Sequence, residues 1–180
     1  WARDVNSDMF GLNTSDQTVE YYIFNDALSV YQRASTFSYA GLVSNASAIA
    51  LDQAADTLAL LDAGNKQIDI FSNKYVGGAP TALSLAAAIN PTGLAIVQHN
   101  GNYLVLDSAL QTDNTIRLMV YNSSGLLLQS IAIDVTAASL GVSGTSETNW
   151  KIHYNDADNL LYLLSPSLGR IFGLSLPRYL

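Results

Sequence analysis

At 180 residues, 19.3 kDa and 49% apolar content, the chain is long enough to bury a core and too apolar to be a disordered segment. Fifteen acids against eight bases give a net charge of −7, which argues against nucleic acid or an anionic membrane surface as the main partner, since both need a basic stripe. There is no cysteine, so disulfides, thiolate nucleophiles and cysteine-bound zinc are excluded.

The chain opens Trp1-Ala2-Arg3-Asp4, without an initiator Met or a basic-then-apolar leader, which reads as a processed or truncated start. No run approaches the ~18 apolar residues of a membrane helix. The longest candidate, Thr81 to Val97, is broken by Asn90-Pro91. The expectation is therefore no membrane insertion.

Strand signals dominate. Thr18 to Phe24, Ile68 to Phe71 and Asn102 to Asp107 are rich in β-branched, aromatic or leucine residues and are bounded by Asn, Asp, Gly and Ser. Glu occurs twice and Lys three times, so the residues that favour helix surfaces are scarce. One alanine-rich stretch, Thr81 to Ile89, has helix character between Gly77-Gly78-Ala79-Pro80 and Asn90-Pro91. Its place in the repeat described next favours an outer strand instead.

The repeat organises the chain. Ala48 to Asp62 lies over Gly93 to Asp107 at an offset of 45, and over Lys151 to Ser165 at an offset of 103. Tyr22 to Gln32 lies over Met119 to Gln129 at an offset of 97, which places Phe24, Phe71 and Tyr121 at one repeat position. A period of 45–50 residues with four short strands, a to d from the axis outward, is the signature of a β-propeller blade.

The reading is all-β, with about 3.5–4 antiparallel blades in repeat units near 1–40, 41–88, 89–135 and 136–180. Unit one has b at 8–13, c at 18–25 and d at 28–37, with Trp1 to Asp4 as a possible tail of strand a. Unit two has a at 46–52, b at 57–62, c at 67–72 and d near 81–88. Unit three has 93–98, 102–107, 115–121 and 126–134. Unit four has 149–154, 160–165 and 169–175, with no outer strand after Leu176. Both end units are thus expected to hold three strands and to leave open edges that invite association. The chain is then a piece of a larger ring, a self-contained four-bladed ring, or one partner in a ring built from several chains.

Pro91-Thr92-Gly93-Leu94-Ala95-Ile96, Gly101 to Ser108 and Tyr121-Asn122-Ser123-Ser124-Gly125 resemble the NHL-like and related six-bladed-type propellers. Unit two departs from that pattern by lacking the loop glycine, and unit three by the insertion Ala109 to Thr115.

The chemistry-bearing residues are few. His99 lies in the turn Gln98 to Asn102 and reads as an exposed turn residue. His153 lies in strand a of unit four, where a structural role competes with metal or base chemistry. Asp156-Ala157-Asp158-Asn159 starts like a calcium loop but continues as Leu160-Leu161-Tyr162, so it reads as a solvated hairpin turn. Asn13, Asp62, Asp107 and Ser165 share the end of strand b, and recurrence in every unit points to a structural role, bonding the backbone turn that follows. Gly141-Val142-Ser143-Gly144 is no nucleophile elbow, and no phosphate or dinucleotide loop occurs. Three glycosylation sequons, at Asn13, Asn45 and Asn122, are about as many as chance supplies.

A rigid ring with no acid–base pair or nucleophile motif in its sequence reads as a non-enzymatic binding or scaffolding module for a protein or glycan. Trp150 is expected as an exposed contact anchor, with His153 and Asn155 beside it as binding residues. No cofactor is expected on that reading. The resemblance also reaches metal-dependent lactonases and esterases, which implies an alternative in which Asp52, His153 or Asn155 serves a divalent cation such as calcium. A third reading is a structural subunit of an extracellular assembly. The cysteine-free, Ser/Thr/Asn/Ala-rich make-up suits a secreted, periplasmic or cell-surface protein.

Overall fold

The computed structural model describes residues 1–4, 6–140 and 147–176. Gly141 to Gly144 and Pro177 to Leu180 fall outside the described residues. The fold is all-β, with fifteen strands and a single helical turn, α1 (Ala137–Leu140), among the described residues. The chain forms two compact units, Trp1–Ser84 and Leu85–Leu180, each holding two antiparallel sheets.

In the first unit, sheet one contains β1 (Ala2–Arg3), β2 (Met9–Asn13), β3 (Thr18–Asn25) and β4 (Val30–Ser38), and sheet two contains β5 (Ala46–Asp52), β6 (Thr57–Asp62), β7 (Gln67–Phe71) and β8 (Thr81–Ser84). In the second unit, sheet three contains β9 (Pro91–Val97), β10 (Asn102–Asp107), β11 (Thr115–Tyr121) and β12 (Leu127–Asp134). Sheet four contains β13 (Lys151–Asn155), β14 (Leu160–Ser165) and β15 (Arg170–Ser175). Within each sheet the strands lie in sequence order, each pairing its neighbour antiparallel. This is the blade meander expected from the repeat.

The turns explain the period. Many hairpins use four residues, with the last in the left-handed region: Gln17, Asp56, Lys66, Gly101, Asn159 and Gly169 all have positive φ. A turn of this kind closes a hairpin with the twist of its strands. Apolar runs between such turns fill the core. In the first unit Phe10, Val19, Leu58, Leu60 and Phe71 form one buried cluster. In the second, Leu104, Leu106, Leu118, Trp150, Leu161 and Leu163 form another. Gly93 on β9 allows β13 to come close, because a Cβ there would meet the Ile152 backbone nitrogen at 3.1 Å and its side chain at 3.0 Å.

Three expectations are corrected. Sheet one has a fourth strand, since Ala2 pairs with Phe10 and Arg3 with Met9, so the edge expected open at Asp8 to Asn13 is partly covered. The stretch after Gly77-Gly78 is neither a helix nor an eight-residue strand. β8 stops at Ser84, after which Leu85 and Ala88 turn inward and are buried. Phe24 is only half-buried, unlike Phe71 and Tyr121. Strand pairing gives the reason. Relative to the shared polar residue that ends strand b, Phe71 faces Leu58, Tyr121 faces Tyr103, and the matching residue of sheet one, Met9, faces Tyr22. The structural equivalent is therefore Tyr22, and the alignment through Phe24 is off by two residues.

Candidate functional site

The residues ending strand b act as expected, as clasps. Asp62 is fully buried and its carboxylate accepts the Ser44 hydroxyl and the backbone N–H groups of Ser44, Asn45, Gly64 and Asn65 at 2.7–3.1 Å. Asp107 accepts from the N–H groups of Ile89, Asn90 and Ala109. Each carboxylate ties the segment entering the inner strand to the turn that follows strand b. Burial pushes the Asp62 carboxyl up, but the hydrogen bonds to Ser44, Asn65 and Asn45 outweigh it and hold the group below the usual range.

Sheet four has Ser165 at this position. Its hydroxyl donates to Glu147, whose carboxylate also accepts the N–H groups of Asn149 and Ser167 at 2.8 Å. These bonds overcome the desolvation of Glu147 and hold its carboxyl at about 2.

The expected binding residues separate. Trp150 is no exposed anchor: it is fully buried, its ring lies edge-on to Phe172 at 6.1 Å, and its carbonyl accepts the Thr92 hydroxyl at 2.7 Å. The polar sequence around it hid the apolar cluster that β10, β11 and β15 build over it. His153 is exposed on β13, stacked on Tyr162 across the strand pair at 6.2 Å. Asn155 is engaged within its own turn, donating to Asp158 and accepting the Ala157 N–H. Asp52 likewise accepts the Ala55 N–H in the β5–β6 turn. Among the described residues, no group of three or more His, Asp or Glu side chains is placed to hold a metal ion.

His99 is exposed as expected, with a partner the sequence did not reveal. Asp156, 57 residues away, accepts the His99 backbone N–H at 3.0 Å and lies 2.8 Å from its Nδ1. The pair joins the β9–β10 and β13–β14 turns.

A second unforeseen cluster lies in the first unit. The buried ammonium of Lys74 sits 2.6 Å from Asp56 and 3.5 Å from Asp4, with the rings of Tyr75 and Phe10 at 5.1 and 5.9 Å. Tyr21 donates to Asp8 beside it at 2.7 Å. Burial opposes the charge on Lys74, but Asp56 and Tyr75 more than compensate and raise its pKa.

The β3–β4 hairpin exposes several large apolar side chains. Ile23, Leu28, Val30 and Tyr31 are all exposed, Leu28 by 61%. Phe24 and Tyr31 pack ring to ring at 5.1 Å, and Trp1, itself 70% exposed, meets Tyr22 at 5.4 Å. Trp1 can lie there because Gly11 has no side chain: a Cβ would come within 2.7 Å of the indole. A shallow groove along the hairpin is lined by Ile23, Phe24, Asn25, Gln32, Arg33 and Ala34. Arg33 is held by Glu20 at 3.2 Å, which in turn accepts the Tyr22 hydroxyl.

No protein-family profile matches the chain, and no curated protein matches it. Solved structures do. The chain is similar to a luciferin-regenerating enzyme, with a TM-score of 0.56 and 13% identity over 93% of this chain and 53% of that one. It is also similar to a gluconolactonase from Xanthomonas campestris, with a TM-score of 0.53 and 17% identity over 88% of this chain and 45% of that one. The chain spans about half the length of these structures. At such identities the likeness concerns the fold alone, and together with the four antiparallel sheets it makes this an all-β chain of β-propeller blades.

Proposed function

We propose that the chain is a non-enzymatic binding module whose contact surface is the β3–β4 hairpin, and that its partner is a polypeptide offering an apolar anchor. The observation that carries this reading is the exposure of Ile23, Leu28, Val30 and Tyr31 around the end of one hairpin, Ile23 and Val30 on one face and Tyr31 on the other. A polypeptide suits the surface because the groove mixes apolar walls with the amides of Asn25 and Gln32, which bond each other at 3.0 Å and keep further amide hydrogens that can pair with main chain. Three carboxylates support the same reading, since Asp62, Asp107 and Glu147 are engaged in holding loops.

Selection of a phage-displayed random peptide library against the immobilised chain tests it. The expected result is enrichment of peptides with aromatic or branched apolar residues, whose capture is lost on Leu28→Asp without a change in melting temperature. Peptides that bind Leu28→Asp equally well would place the site elsewhere. Calcium or zinc retained stoichiometrically through dialysis, with hydrolysis of a lactone or ester, would replace this reading with the enzymatic one.

A further inference from the structure

We infer that Asn100 is a site of spontaneous deamidation, in which the Gly101 main-chain nitrogen closes on the Asn100 side-chain amide and His99 delivers the proton that lets ammonia leave. The site is the β9–β10 turn, in the second unit, and it does not rest on the β3–β4 surface. The sequence supplies the first element. Of fourteen asparagines, Asn100 alone precedes a glycine, so it alone is followed by a nitrogen that no Cβ shields from the reacting carbon.

Local geometry supplies the rest. The Asn100 side chain is exposed, so water reaches it. Its Oδ1 accepts the Asn102 N–H at 2.9 Å. That bond fixes which way the amide points, and it places a donor on the oxygen that becomes negative when Cγ is attacked. The amide Nδ2 lies 3.4 Å from His99 Nε2. The His99 ring is in turn held by Asp156, whose carboxylate lies 2.8 Å from Nδ1 and accepts the His99 N–H at 3.0 Å. With Nδ1 donating to that carboxylate, Nε2 is the nitrogen turned to Asn100. A donor for the oxyanion and a proton source for the leaving nitrogen therefore flank one amide.

The reaction balances with water as the only co-reactant. The Gly101 N–H gives its proton to solvent, and the nitrogen bonds to Asn100 Cγ. The Cγ–Nδ2 bond breaks as Nδ2 takes a proton from the protonated His99 ring and leaves as ammonia. The ring recovers its proton from solvent. Water then opens the five-membered imide at either carbonyl, giving aspartate or isoaspartate at position 100. Isoaspartate routes the main chain through Cβ, one atom longer, at the turn that closes on the Val97–Asn102 pair. One contact opposes the attack, since the Gly101 N–H is held by the Val97 carbonyl at 2.8 Å. That bond sits at a turn tip, where local opening is least costly, and Asp156 keeps His99 anchored while the 100–101 peptide rotates.

The test incubates the whole chain at neutral pH in heavy-oxygen water and maps it by mass spectrometry, with a fragmentation that separates aspartate from isoaspartate. The expected result is label at position 100 roughly tenfold or more ahead of any other asparagine, in both isomers, because only there is the attacking nitrogen a glycine's. His99→Ala and Asp156→Ala should each slow the reaction by roughly threefold or more, and imidazole added to the buffer should speed His99→Ala more than wild type. A purely structural role for the His99–Asp156 pair predicts the reverse, since a looser turn frees the Gly101 nitrogen. The inference is overturned if Asn100 reacts no faster than the other asparagines, if aspartate is the sole product, or if either variant reacts as fast as wild type or faster.

Discussion

Ser165 donates its hydroxyl to the Glu147 carboxylate at 2.8 Å, and together the two do in sheet four what Asp62 and Asp107 each do alone in sheets two and three. The carboxylate has moved from the end of strand b to the segment entering strand a, yet it still gathers backbone N–H groups from both sides of the clasp, Asn149 and Ser167. The geometry of the clasp is kept while the residue supplying the charge changes.

This exchange makes Glu147 a stability residue. Glu147→Gln should destabilise the chain by roughly 1 kcal/mol at neutral pH, a figure kept small because the group is partly solvated. The folded carboxyl titrates at about 2, below its ordinary 4.5, so its contribution is present above about pH 4.5 and is lost as pH falls toward 2. Chemical denaturation of both proteins from pH 7 down to pH 2.5 checks this: the difference between them should shrink steadily below pH 4.5.

Asp69 has the opposite sign. It is buried on β7, with Gln67 donating to one carboxylate oxygen and no hydrogen-bond partner at the other. Desolvation, opposed by Gln67 and reinforced by the nearby Asp62, pushes its pKa up to about 6. Its stability contribution is therefore full below about pH 3.8 and is lost as pH rises through 6. Asp69→Asn removes the titration. Its stability relative to wild type should rise by about 2–3 kcal/mol between pH 4 and pH 8. A flat difference across that range would show that Asp69 is solvated.

Lys74 holds two loops of the first unit through Asp4 and Asp56. Lys74→Met leaves the Asp4 carboxylate buried without its cation and should cost about 3 kcal/mol. Adding Asp4→Asn should restore a measurable part of that loss in a double-mutant cycle. Additive effects would mean that Lys74 acts through packing on Tyr75 and Phe10 alone.

Leu104 is fully buried on β10 within the core of the second unit, whereas Leu128 on β12 is exposed. Leu104→Ala should cost roughly 2–5 kcal/mol through the cavity it leaves. Leu128→Ala should stay within about 0.5 kcal/mol. Urea midpoints at constant m-value read both.

Much of the fold is legible in the sequence, because inner strands announce themselves as apolar runs ended by a short polar residue. The ends of β6, β10 and β14 fall at Asp62, Asp107 and Ser165. What the sequence hides depends on contacts distant along the chain. Trp150 sits among polar neighbours, and only packing against Phe172 buries it. Lys74 finds Asp4 seventy residues upstream, and His99 finds Asp156 across two hairpins. β1 pairs through two residues only, too few to leave a pattern. In sheet one the pairing register shifts between Tyr21 and Tyr22, where an alignment of apolar letters slid onto Phe24. The proposed contact surface is equally hidden, since Ile23, Leu28 and Val30 read as ordinary strand and turn residues until their exposure is seen.

Titration of a library-selected peptide against wild type and Leu28→Asp by fluorescence anisotropy tests whether the β3–β4 hairpin is the working surface. The predicted result is at least a tenfold loss of affinity in the variant, with identical unfolding curves for the two proteins. Equal affinity for the variant would contradict the claim.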